Sequence, residues 1–253
     1  GTMPATEKNR VKAADDESIQ VLQPGVYIGA KPTLLKTDSG KKVIIYTTDI
    51  LGRTTGNHTA VVYSVYDETS ASWTDPVQIE NDGTADFDAV TAVDGENVYI
   101  AWSDANRTFT TEETEVASAD FMKQVAGACE ITAAKLDLGG TAVNVEVYSV
   151  TDNAFADMKP AITVNDHIPY ISWYENRNND ILEGKGINIV HMTAWNGSTF
   201  VSQVSHEVNV PVQSVAVGTM GENILTAWES FSETEESISV MDRQENVTEI
   251  VSD

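Results

Sequence analysis

The stretch VDGENVYIAWSD, residues 93–104, passes through an Asp-Gly turn into strand-type alternation and ends on a tryptophan and an acid. Its significance lies in repetition. The second of four similar segments, DAVTAVDGENVYIAWSD from Asp88, contains it; the others are KPTLLKTDSGKKVIIYTTD from Lys31, KPAITVNDHIPYISWYE from Lys159 and QSVAVGTMGENILTAWES from Gln213. Each copy joins two strands through a turn rich in Asp, Asn and Gly, and closes on Tyr46, Trp102, Trp173 or Trp228. These anchor aromatics lie 56, 71 and 55 residues apart, a period of about 55 with one insertion of about 15.

Two more strand-like runs follow each hairpin: 58–66 and 75–80, 130–137 and 144–150, 186–195 and 199–205, 237–242 and 247–252. Four antiparallel strands per unit at this spacing predict an all-β fold, a β-propeller with four recognisable four-stranded blades, alone or within a larger ring. The blades are expected at about 30–83, 84–153, 154–208 and 209–253, within a propeller domain over 18–253. Polar, aperiodic residues 1–17 read as a flexible leader. SIQVLQPG, residues 18–25, resembles PVQIENDG, residues 76–83, and reads as a fourth strand ahead of the first hairpin. In the insertion of blade two, Val116, Phe121, Met122 and Val125 approximate helical spacing and predict a short helix. The tryptophans are expected in blade-to-blade packing.

Of 253 residues, 15 are basic and 39 acidic, a net charge of −24 that excludes nucleic acid and anionic membrane surfaces as partners. No apolar run approaches a membrane span, so no direct membrane insertion is expected. A single cysteine, Cys129, excludes an intrachain disulfide framework, and four scattered histidines form no zinc pattern. No cofactor is expected. DFDAVTAVDGEN has the D-x-D spacing of calcium loops without a complete set of oxygens, which leaves calcium as an alternative.

The segments KPAI, VYIAWSD and YISWYENRNNDI together resemble the repeats of sialidase-like propellers of the bacterial neuraminidase-repeat type, over about residues 30–252. That resemblance implies the propeller architecture and leaves the activity open, because the superfamily includes both hydrolases and binding modules. The family's Asp-box, Ser/Thr-x-Asp-x-Gly-x-x-Trp/Phe, is absent in full form; WNGSTF from Trp195 is its nearest echo. Sialidase chemistry, as the family implies it, needs an arginine cluster, a tyrosine with a glutamate and an aspartate, and no position carries over to this chain.

Long connections at 49–57, 104–129 and 174–185 share one face of the ring, where function is expected. Acids gather at the same end: Asp49, Asp104, Glu175 and Glu229 close second strands, while Asp86, Asp88 and Asp157 precede first strands. Arg53, Arg107 and Arg177 follow shortly after. Two roles compete for these residues, fixing the turns or contacting a ligand; the ligand-binding candidates are Asp86, Asp88, Asp104, Arg107, Asp157, Glu175 and Arg177. No catalytic residue is assigned. The expected protein is a secreted or surface-displayed bacterial module of a longer chain, binding a glycan or protein without catalysis. The alternative is a glycoside hydrolase with axial carboxylates.

Overall fold

In the computed structural model, residues 20–23, 26, 29–115, 118–232 and 236–251 are described. The expected leader lies outside them. Four antiparallel sheets follow one another along the chain. Blade 1 contains β1 (Thr33–Lys36), β2 (Lys42–Asp49) and β3 (Thr59–Asp67), with short outer pieces β4 (Ser72–Trp73) and β5 (Val77–Gln78). Blade 2 contains β6 (Asp86–Asp94), β7 (Asn97–Ala105), β8 (Cys129–Asp137) and β9 (Asn144–Ser149). Blade 3 runs β10 (Ala156–Asn165), β11 (Ile168–Asn176), β12 (Asn188–Trp195) and β13 (Phe200–Val208). Blade 4 runs β14 (Val212–Met220), β15 (Asn223–Phe231), β16 (Glu236–Met241) and β17 (Val247–Val251).

This is the propeller grammar read from the repeat, and the strand period explains how the blades stack. Side chains two apart share a face, so Val98, Ile100 and Trp102 form the leading face of blade 2 and pack on Val43, Ile45, Val61 and Tyr63 of blade 1. The trailing face of blade 2 presents Ala101, Ile131 and Ala133 to Ile171 and Trp173 of blade 3. Tyr170, Tyr174, Val190 and Met192 behind blade 3 then meet Ile224, Trp228 and Met241 of blade 4. Each anchor tryptophan therefore sits on the leading face and fills the space against the preceding blade. The Ser172 and Thr226 hydroxyls hydrogen-bond across the third interface at 2.6 Å.

Burial follows this order. In β7 and β11 nearly every residue is buried, as expected when both sheet faces are covered. In β15 buried and partly exposed residues alternate, because the trailing face of blade 4, with Leu225, Ala227 and Ile238, has no comparable sheet against it among the described residues.

Two local features differ from the sequence reading. Residues 20–23 of the segment expected as a strand lie in no strand, while 18–19 and 24–25 fall outside the described residues. Gln20 instead exchanges hydrogen bonds with the backbone of Trp73, and Gln23 accepts one from the Tyr46 hydroxyl. The insertion of blade 2 forms two helices, α1 (Thr111–Glu115) and α2 (Ala119–Ala126). Ser118 caps α2 by accepting from the Phe121 amide at 3.1 Å. Phe121 meets Phe109 edge to face, which holds the insertion down on the blade.

The unequal burial of equivalent alanines gives a direct test. Ala101→Leu, at a fully covered position, is expected to cost about 1–3 kcal/mol by overpacking, whereas Ala227→Leu is expected to stay within about 0.5 kcal/mol. Urea unfolding of both variants checks this; equal costs would contradict the stated blade order.

Candidate functional site

The ends of the second strands and the starts of the first strands meet on the loop-bearing face. Ladder register sets Asp86 opposite Asp104 in blade 2 and Asp157 opposite Glu175 in blade 3. Immediately after, both first strands bulge, and the bulged residues Asp88 and Lys159 take positive φ of 53° and 55°.

Four of the expected site residues lie beneath this face. Asp86, Asp104, Asp157 and Glu175 are buried. Asp86 accepts a hydrogen bond from the Val61 amide of blade 1 at 2.7 Å, and so ties two blades together. Asp104 accepts from the Thr84 and Thr132 hydroxyls at 3.0 and 3.1 Å. Asp157 accepts from the Trp173 indole at 2.7 Å and from the Asn153 side-chain amide at 2.8 Å. Glu130, of blade 2, takes the Asn153 backbone amide at 2.8 Å. Glu175 pairs with Arg177 at 2.8 Å and lies 3.7 Å from His191.

Burial dominates the electrostatics of these acids. It pushes Asp157 up to about 8, with the Glu130 charge adding to the effect, and it raises Glu130 as well. It drives Asp86 well above the usual carboxylate range and Asp104 up to about 6, the latter helped by Asp82. Glu175 is the exception: burial raises it, but His191 and Arg177 together hold it below its ordinary value.

The remaining candidates are more accessible. Asp88 lies between two lysines of neighbouring blades, 2.8 Å from Lys159 and 3.8 Å from Lys31. These residues occupy equivalent places before or within the first strands, and form a lysine–aspartate–lysine row across blades 1 to 3 with one positive charge in excess. Arg107 pairs with Glu113 at 3.1 Å and lies over the Phe109 ring at 4.3 Å. Arg53, the third arginine of the series, donates to the Thr84 carbonyl and to the side chains of Gln78 and Asn81.

One group could attract a cation. Glu80, Asp82 and Asp104 bring a carboxylate oxygen each within 4.8 Å of one another, and burial together with Asp104 and Asp82 raises Glu80 to about 7. Calcium takes about six to eight oxygens, and Thr84 already donates its amide to Asp82 and its hydroxyl to Asp104.

One concavity of this face lies beside the insertion of blade 2. A hollow of about 490 Å³ opens between the insertion of blade 2 and the loops of blade 3, lined by Asn106, Arg107, Lys123, Gln124, Asn153 and Asn179 with the small residues Gly127, Ala128 and Ala154. It contains four side-chain amides, two cations and no carboxylate. Asn179, at φ 52°, donates to the Ala154 carbonyl at 3.1 Å. A Cβ on Gly127 would stand 2.4 Å from its Nδ2, so a larger residue there would push the Asn179 side chain aside. Of this lining only Arg107 was singled out by the sequence. The amides come from four separate segments, and their convergence has no local signature.

No protein-family model matches the sequence, and no curated protein is similar to it at the sequence level. Solved structures are similar in fold. Trypanosoma rangeli sialidase in complex with the inhibitor DANA aligns with a TM-score of 0.57 at 10% identity, over 86% of this chain and 37% of that one. Its complex with 2,3-difluorosialic acid aligns at 0.54 and 11% identity, over 87% and 36%. The polysaccharide lyase Uly1 aligns at 0.50 and 9% identity, over 87% and 48%. The fold is that of the sialidase-like β-propellers. This chain spans less than half the length of each of these proteins. Among the described residues of the sialidase-like fold, no helix is long and apolar enough to cross a membrane.

The raised carboxylates make stability depend on pH in one direction. Asp157, Glu80 and Asp104 hold their protons more tightly folded than unfolded. The native state therefore carries more bound protons between about pH 4 and pH 8, and stability falls as pH rises through that window. The thermal midpoint is expected to be higher at pH 5 than at pH 8, and Asp157→Asn is expected to narrow the difference. An unchanged pH profile in the variant would contradict burial of Asp157 as its source.

Proposed function

We propose that this chain is an extracellular propeller module that holds a glycan on its loop-bearing face without cleaving it. The observation that supports this most is the lining of the 490 Å³ hollow: amides that both donate and accept, flanked by Arg107 and Lys123, in a chain of net charge −24. Such groups match sugar hydroxyls, and a concave site with a few convergent polar groups is the usual form of a ligand pocket. The usual glycoside hydrolysis places a pair of carboxyl groups on either side of the bond, and the residues lining the hollow include none. The buried acids have a supporting role in this reading. Asp157 and Glu130 fix the side chain and backbone of Asn153, a member of the lining. Asp88 and Arg177 are not among the residues that line the hollow. The similarity to a sialidase and a polysaccharide lyase adds weight to a glycan over a protein as the ligand.

A second reading, a glycoside hydrolase with axial carboxylates, has one observation in its favour. Asp157, raised to about 8, carries its proton at neutral pH as a general acid must. Its carboxyl is fully buried, so this chemistry needs the face to open.

A glycan array followed by titration of a captured glycan tests the first reading. Arg107→Ala and Gln124→Ala are expected to keep the folded circular-dichroism signal, with the arginine variant binding roughly tenfold more weakly. Capture of no glycan, or undiminished capture by both variants, would contradict it. Turnover of fluorogenic glycosides that disappears in Asp157→Asn would establish the hydrolase instead.

A further inference from the structure

At the opposite end of the strands, between blades 2 and 3, lies a notch of about 160 Å³. Its origin is in the ladder register. Tyr99 stands opposite Lys135, Lys135 opposite Glu146, and Ala133 opposite Tyr148, so all five side chains share the trailing face of blade 2. Blade 3 contributes Trp195 and Phe200, a facing pair that closes the Asn196–Gly197 turn. This is the WNGSTF segment, the nearest echo of the Asp-box in the sequence. Ala133 is too small to fill the space between the blades, and the notch remains.

The aromatic walls are inclined to one another. Tyr148 and Trp195 have centroids 4.6 Å apart at 54°, Trp195 and Phe200 5.2 Å apart at 59°, and Tyr148 and Phe200 6.5 Å apart at 70°. None of the four lining rings is fully buried, unlike the anchor tryptophans of the core. The Tyr148 hydroxyl donates to Glu146, which fixes the carboxylate at the rim. Glu146 and Lys135 are the charged residues of the lining, and Asp94, which lies outside it, is paired with His167 at 2.9 Å.

We propose that this notch is a separate ligand site that takes the head of a small organic cation, an alkylated ammonium. Ring faces attract a cation placed within about 6 Å of their centroids, and they favour one whose weak hydration is easily lost. Several non-parallel rings with a carboxylate at the rim meet both requirements. Lys135, opposite Glu146 in the ladder, carries a compact and strongly hydrated ammonium. This site is independent of the glycan reading of the opposite face.

The test is a titration of the whole protein with choline and with its uncharged isostere 3,3-dimethyl-1-butanol, read on the Trp195 indole N–H resonance. Choline is expected to shift it saturably, and the isostere to bind roughly tenfold more weakly. Glu146→Gln, at an exposed position, is expected to weaken choline roughly fivefold, and Lys135→Met to strengthen it. Trp195→Phe, which keeps a ring, is expected to retain binding read on the Tyr148 resonances, while Trp195→Ala loses it. Absence of a saturable shift with choline, an equal response to the isostere, or tighter binding of a neutral methyl glycoside would overturn the proposal.

Discussion

Everything in this molecule depends on one asymmetric contact: a tryptophan-bearing leading face laid against the trailing face of the blade before it. Trp102, Trp173 and Trp228 make this contact three times. The aromatic supplies the apolar area, and it packs on aliphatic and tyrosine side chains of the facing sheet. Because the faces differ, the contact has a direction, and each blade positions the next. The loop-bearing face is a consequence. Connections that leave the second strands emerge at one end, and stacking at fixed spacing brings the insertion of blade 2 over the loops of blade 3.

The buried acids stabilise that end at an electrostatic cost. Asp86 reaches the Val61 amide across an interface, and Asp157 takes both an indole and a side-chain amide. A carboxyl removed from water is expensive when ionised, which is why burial raises Asp86, Asp104 and Asp157 together. The arrangement fixes loops that would otherwise be free, Asn153 among them. Rigid support of this kind lets the hollow offer its amides in fixed positions.

The sequence disclosed those parts that are local. Alternation, Asp-Gly turns and the anchor aromatics lie within about twenty residues of one another, so blade number, strand order and the covered tryptophans were all legible. Face can be read from a period of two, but depth cannot: Asp86 and Asp104 stood at the right end of the blades, while their burial depended on Val61 and Thr132 from other strands. The hollow was least legible. Asn106, Lys123, Asn153 and Asn179 come from segments whose spacing follows no motif. Lys31 and Lys159 precede prolines in repeat-equivalent positions, but nothing local announced their pairing with Asp88.

The directional stacking is tested most directly by native-state hydrogen exchange resolved along the chain. Amides of β7 and β11, covered on both faces, are expected to exchange most slowly and only through global unfolding, with β15–β17 opening at lower free energy. Equal protection of all four blades, or slowest exchange in β15, would contradict the blade order and the uncovered face that follows from it.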